Sequence, residues 1–216
     1  MKQLITILLT LTIGFSQSLS KEEKQIRSYI DNHNNEAIDL VEKVVNINSG
    51  TLNMEGNKKV GKIFQAELDK LGFHTYWVTY PDDVKRSGHL FAEMRGGKGK
   101  NILLIGHLDT VFEPDHPFQK YTRKGDTAYG PGVSDMKAGD VSMIYIMKAL
   151  HKIGVLQDMN LTLAFTGDEE KTGGPVSIVR KELVEAGKWA NIGLGFEGAG
   201  GMIRVPSPDG VHHPGY

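Results

Sequence analysis

Ile102-Leu103-Leu104-Ile105-Gly106-His107-Leu108-Asp109 is the stretch on which the fold of this chain turns. An unbroken apolar run suits a strand buried on both faces, and this one stops at a glycine followed by an imidazole and a carboxylate. Two later runs end in the same way. Leu161 to Thr166 leads into Gly167-Asp168-Glu169-Glu170, and Ile192 to Phe196 leads into Glu197. Ligands of α/β sheets bind beyond the carboxyl ends of strands, so these ends place ionisable side chains on one rim.

Outward from that core, apolar residues at helical spacing predict a helix over Glu22 to Ile47 and another over Asn57 to Leu71, closed by Gly72. Strands are predicted at His74 to Tyr80 and Leu90 to Met94. Downstream, helix over Lys137 to Ile153, strand over Leu161 to Phe165, helix over Val176 to Ala186 and strand over Ile192 to Phe196 follow in turn. This alternation predicts an α/β fold: a mixed, mostly parallel sheet with helices on both faces.

The 216 residues are 39% hydrophobic and 24% charged, enough for one ordinary core. With 25 basic and 26 acidic side chains the net charge is near zero, so no nucleic-acid partner or anionic membrane surface is expected. Cysteine is absent, which rules out a disulfide framework and leaves His, Asp and Glu to hold any metal. Met1 to Ser20 reads as a signal peptide, with Lys2 ahead of an apolar run from Leu4 to Phe15. That run is shorter than the roughly 20 residues of a spanning helix, so export to the periplasm or medium is expected, without a stable membrane anchor.

The rim residues suit metal-assisted hydrolysis. His107 is read as a ligand, and Asp109, on the same side of an extended segment, as the acceptor for the imidazole's other N–H. A His-x-Asp pair alone fits a hydrogen-bonded turn equally well; its place after a buried strand favours the metal. Asp135 lies in Tyr129-Gly130-Pro131-Gly132-Val133-Ser134-Asp135-Met136-Lys137. It could be a helix N-cap, but glycines and a proline upstream suit close approach of backbone to a metal cluster, so Asp135 is read as a bridging carboxylate. Of the adjacent glutamates, Glu169 is read as the general base and Glu170 as a ligand, and Glu197 completes the first ion's shell.

Together, His107-Leu108-Asp109-Thr110-Val111, the Gly130-Pro131-Gly132 to Lys137 segment, Gly167-Asp168-Glu169-Glu170 and Phe196-Glu197 closely resemble the aminoacylase and glutamate carboxypeptidase family of co-catalytic zinc peptidases. The resemblance spans residues 21 to 201, taken as the catalytic domain. It implies two zinc ions, with His107 and Glu197 on one, Glu170 helping to hold the other, Asp135 bridging and Asp109 supporting His107. It also implies a cis peptide after Asp135. Gly130-Pro131-Gly132 is more similar to the glutamate carboxypeptidase branch than to the deacetylase and desuccinylase branches. The implied substrate is a small peptide or an N-acyl amino acid.

Family members carry a second, smaller domain and a returning segment that brings a final histidine to the second zinc. Homodimerisation through that domain is expected of the full-length parent alone. Tyr216 comes first here, and residues 202–216 lack helix or strand periodicity. The expectation is therefore a truncated or frameshifted chain, incomplete at its C-terminus and inactive by itself, in which His212 and His213 are accidental. The alternatives are an inactive fragment, an N-acyl amino-acid deacylase of the same family, or a mononuclear metallohydrolase that leaves the Asp135 segment unexplained. His74, His89 and His151 are read as surface or satisfied histidines, His116 as a loop residue, and Trp77 and Trp189 as packing.

Overall fold

The computed structural model describes residues 18–198. Residues 1–17 of the predicted signal peptide and the tail at 202–216 lie outside that span. The sheet is built from β1 (His74–Val78), β2 (His89–Arg95), β3 (Lys98–His107), β6 (Met159–Thr166) and β7 (Ile192–Gly195), in the order β1-β2-β6-β3-β7. β1 with β2 and β2 with β6 are antiparallel, whereas β6 with β3 and β3 with β7 are parallel. The sheet is mixed, and its parallel half carries the predicted rim.

Alternate residues of each strand feed two cores. Leu90 and Ala92 of β2, Leu104 of β3, and Leu161, Leu163 and Phe165 of β6 face the helices α1 (Lys21–Val45), α2 (Met54–Lys70) and α3 (Ala138–Lys152). Phe91, Leu103 and Ala164 face the other way, against Leu183 and Ala186 of α5 (Lys181–Trp189). Phe64 of α2 and Phe165 pack with ring centroids 5.5 Å apart, a tilted pair worth about 0.5–1.5 kcal/mol beyond the area it buries.

The opposed helices follow from the connections. β3 reaches β6 on one side through α3, and β6 then reaches β7 on the far side of β3. Parallel crossovers are nearly all right-handed, so connections running in opposite directions lay their helices on opposite faces and open a crevice at the carboxyl ends of the strands between them.

Local chemistry sets the helix ends. Ser20 caps α1 in a reciprocal box with Glu23, at 3.1 Å and 2.7 Å. Asn53 caps α2 by accepting from the Gly56 amide at 3.1 Å.

In three places the structure departs from the periodicity. β6 lies between β2 and β3, although the link between those strands is only Gly96 and Gly97. The link passes the start of β6, where the Gly96 amide donates to Met159 O at 2.8 Å, and a Cβ at Gly96 would stand 2.1 Å from Gln157 O. Thr122–Lys124 (β4) and Thr127–Tyr129 (β5) form a small hairpin around Gly125, too short and exposed to leave an apolar pattern. The helix predicted over Val176 to Ala186 is broken at Arg180 into α4 (Val176–Val179) and α5. The break coincides with the Arg180 side chain reaching inward to Asp168.

Candidate metal centre

Strand register brings the rim together. His107 ends β3 opposite Thr166 of β6, and Ile105 lies opposite Gly195 of β7. Two residues beyond Gly195, Glu197 is level with His107, while Glu169 and Glu170 turn over the end of β6. Asp135 arrives from the other side, on an irregular turn at Val133–Lys137 that precedes α3. Gly132 starts that turn at φ +75°, where a Cβ would stand 2.6 Å from Thr110 Cγ2. The Asp135–Met136 peptide is cis, at the position the resemblance implied.

His107 is buried with its Nε2 facing the acids: 2.9 Å from Asp135 Oδ1, 3.5 Å from Glu197 Oε1 and 4.0 Å from Glu169 Oε2. Ligand atoms of His107, Asp135 and Glu197 lie within 4.8 Å of one another, as do those of His107, Glu169 and Glu170. His107, Asp135, Glu169, Glu170 and Glu197 are thus collected at one place, with His107 in both groups, whereas Asp168 turns away from the rim toward Arg180.

Asp109 does more than expected, and partly in another way. The His107 Nδ1 lies 2.9 Å from the Asp109 carbonyl oxygen, closer than the 3.5 Å to its carboxylate Oδ1. Beyond that longer approach to the ring, the carboxylate accepts from Thr51 Oγ1 at 2.7 Å and from the amides of Glu169 and Glu170 at 3.0 Å and 3.1 Å. The fully buried Asp109 thus ties the strand end carrying His107 to the turn carrying the two glutamates.

The electrostatics show why a cation suits the site. Burial opposes charging His107, but the hydrogen bond and charge of Asp109, with the charges of Asp140 and Glu197, raise its pKa to about 10. Burial also resists charging Glu170, and Asp135, Asp109 and Glu169 add repulsion that outweighs His107, so its pKa rises to about 7. Glu197 is raised by burial and by Asp135 and Glu169. Asp109 is lowered, because its hydrogen bonds and the His107 charge outweigh its burial. Oxygen-rich, crowded and carrying one imidazole, this donor set fits hard or borderline divalent ions.

Several supporting residues escaped the sequence reading. Lys137 is buried and donates to Val44 O and Ile47 O, both at 3.1 Å, at the end of α1; burial lowers its pKa to about 8. Asp140 is buried beside Gly106, and neither of its oxygens meets a hydrogen-bond partner among the described residues. Thr51 holds Asp109, and Asp168 is held by Arg180. None of these has a spacing signal, since each acts through a partner distant in sequence. His89 is a satisfied histidine, as expected, buried with Val179 O and the Gly167 amide at 2.8 Å and 3.1 Å. Trp189 stacks under the Arg95 guanidinium.

Comparison with known proteins agrees with this geometry. The sequence model of peptidase family M20/M25/M40 matches residues 103–203. Carboxypeptidase G2 of Pseudomonas sp. (strain RS-16) is 35% identical over 165 residues, covering 74% of this chain and 38% of that protein. Succinyl-diaminopimelate desuccinylase of Gluconacetobacter diazotrophicus is 29% identical over 128 residues, 57% of this chain and 32% of that protein. In fold, the chain is similar to human carnosine dipeptidase 1, with a TM-score of 0.66 at 20% identity, over 80% of this chain and 40% of that one. The chain spans 32–38% of the length of these two sequence relatives. On these matches, which include residues 103–203, the chain belongs to peptidase family M20/M25/M40.

Proposed function

We propose that this chain is the metal-binding part of a carboxypeptidase-like hydrolase that cleaves a peptide or N-acyl amino-acid amide bond, using two zinc ions. The observation that carries the reading is the convergence of His107, Asp135, Glu169, Glu170 and Glu197 at one rim, in two groups with ligand atoms within 4.8 Å. His107 and Glu197 would hold one ion, Glu170 the other, with Asp135 between them. Bound there, divalent ions polarise the scissile carbonyl and make water a stronger acid.

The remaining work falls to the chain itself. Asp109 keeps the His107 ring fixed through its carbonyl, and through its carboxylate holds the Glu169 and Glu170 amides. Glu169, half-exposed at the rim, takes a proton from the attacking water as its oxygen bonds to the carbonyl carbon. As the C–N bond breaks, the same carboxyl group gives that proton to the leaving nitrogen. Carboxypeptidase G2 supports the carboxypeptidase-like preference over the desuccinylase, at 35% against 29% identity. Export rests on the Lys2 and Leu4 to Phe15 pattern, and among the described residues no helix is long and apolar enough to cross a membrane.

Glu169→Gln tests the assignment in the protein that carries this chain, with zinc and a panel of C-terminal glutamyl peptides and N-acyl amino acids. Metal content should be unchanged while hydrolysis falls about 10²–10⁴-fold, the usual contribution of a positioned base. Unchanged turnover would refute the base, and a protein that takes up no zinc would refute the site.

A further inference from the structure

We infer that the pair formed by the buried Asp168 and the half-buried Arg180 is a positioning device for the Glu169–Glu170 turn, and that Arg180 thereby controls occupancy of the metal position containing Glu170. This rests on the proposed metal reading. The turn is held from two sides. On the metal side, Asp109 accepts the amides of Glu169 and Glu170 at 3.0 Å and 3.1 Å. On the far side, the fully buried Asp168 accepts from Arg180 Nη1 and from the Gly173 amide, the latter at 2.8 Å. Arg180 Nη2 donates to Asp168 O at 3.0 Å and to Thr172 Oγ1 at 3.1 Å, and Arg86 Nε adds a bond to Lys171 O at 2.8 Å.

These contacts give Asp168 a different task from its neighbours. Three acidic side chains follow one another here, and the first, turned away from the rim, has its charge matched by a guanidinium. Arg180 bonds both the carboxylate and the carbonyl of the same residue, which fixes orientation as well as charge. Lysine would retain the charge without the fork. The break between α4 and α5 falls at this residue, where φ is −109° and ψ is 2°. From that kink the side chain reaches the turn.

Cobalt(II) titration of the protein that carries this chain, followed by visible absorption and calorimetry, provides the test. The unaltered chain should show two uptake events. In Asp168→Asn/Arg180→Gln, which removes both charges together, the weaker event should lose about 10–100-fold in affinity, as for other groups that orient a ligand. The tighter event and its spectrum should be unchanged, and Arg180→Lys should lose less than the double variant. Two unchanged events in the double variant would overturn the proposal, as would equal weakening of both alongside a lower Tm, the mark of general unfolding. A single event in the unaltered chain also overturns it while leaving a metal site standing. No cobalt uptake at all would instead sink the metal reading beneath it.

Discussion

In the proposed site protons and metal would compete for the same side chains, and the direction of that competition follows residue by residue. His107 is raised from 6.5 to about 10, so its contribution to stability is full below the unfolded value and is lost as pH rises through the folded one. Glu170 shifts the same way, from 4.5 to about 7, so its contribution is lost as pH rises through that window. Chelator-treated protein should therefore lose stability from these groups as pH rises. Metal should reverse the trend, because binding requires the deprotonated groups and expels their protons. Calorimetry in buffers of different ionisation enthalpy should show proton release on zinc binding and an affinity that climbs with pH; a pH-independent affinity would contradict the site. The glutamates, Asp135 and His107 were legible from sequence because each sits just past a strand or in a glycine-rich turn. The hold of Asp109 on the glutamate turn was not, since it depends on where Thr51 and two amides come to lie.

At the level of elements, α1 and the Asp135 turn are joined by Lys137. The last carbonyls of a helix have no partner within it, and the Lys137 ammonium takes Val44 O together with the neighbouring Ile47 O. Lys137→Met keeps most of the buried stem but takes a donor from both carbonyls, Val44 O keeping the Ile47 amide at 3.2 Å, at a cost of about 1–3 kcal/mol in denaturant unfolding. The native lysine has a pKa lowered from 10.5 to about 8, so it makes stability increase with pH between those values, and the variant should lack that increase. An unchanged unfolding midpoint would show the contact to be energetically idle. Periodicity found α1, α2, α3 and the central strands β2, β3 and β6 because each turns apolar residues into a core, and it found β7 from its short apolar run although that strand stays exposed. It missed the break at Arg180, since α5 has no fully buried residue and its apolar pattern runs straight on from α4.

Across the whole molecule, β7 is the exposed end of the sheet. Ile192 and Leu194 are 43% and 42% exposed, and among the described residues nothing pairs with the outer edge of the strand. Open backbone groups beside apolar side chains make a template for another strand. The isolated chain should therefore self-associate with increasing concentration, and Leu194→Lys should suppress this at little cost to Tm, as sedimentation velocity would show. Association unaffected by the lysine would place the contact elsewhere.

The sequence by itself determined the α/β class, the main elements and the rim residues, because strand burial and helix amphipathicity are written in local spacing. Tertiary structure alone decided that β6 slides between β2 and β3, and that distant Thr51, Lys137 and Arg180 support the rim. The physical reason is that strand order and buried hydrogen bonds depend on which surfaces close over one another, and residues far apart in the chain carry no periodic mark of meeting.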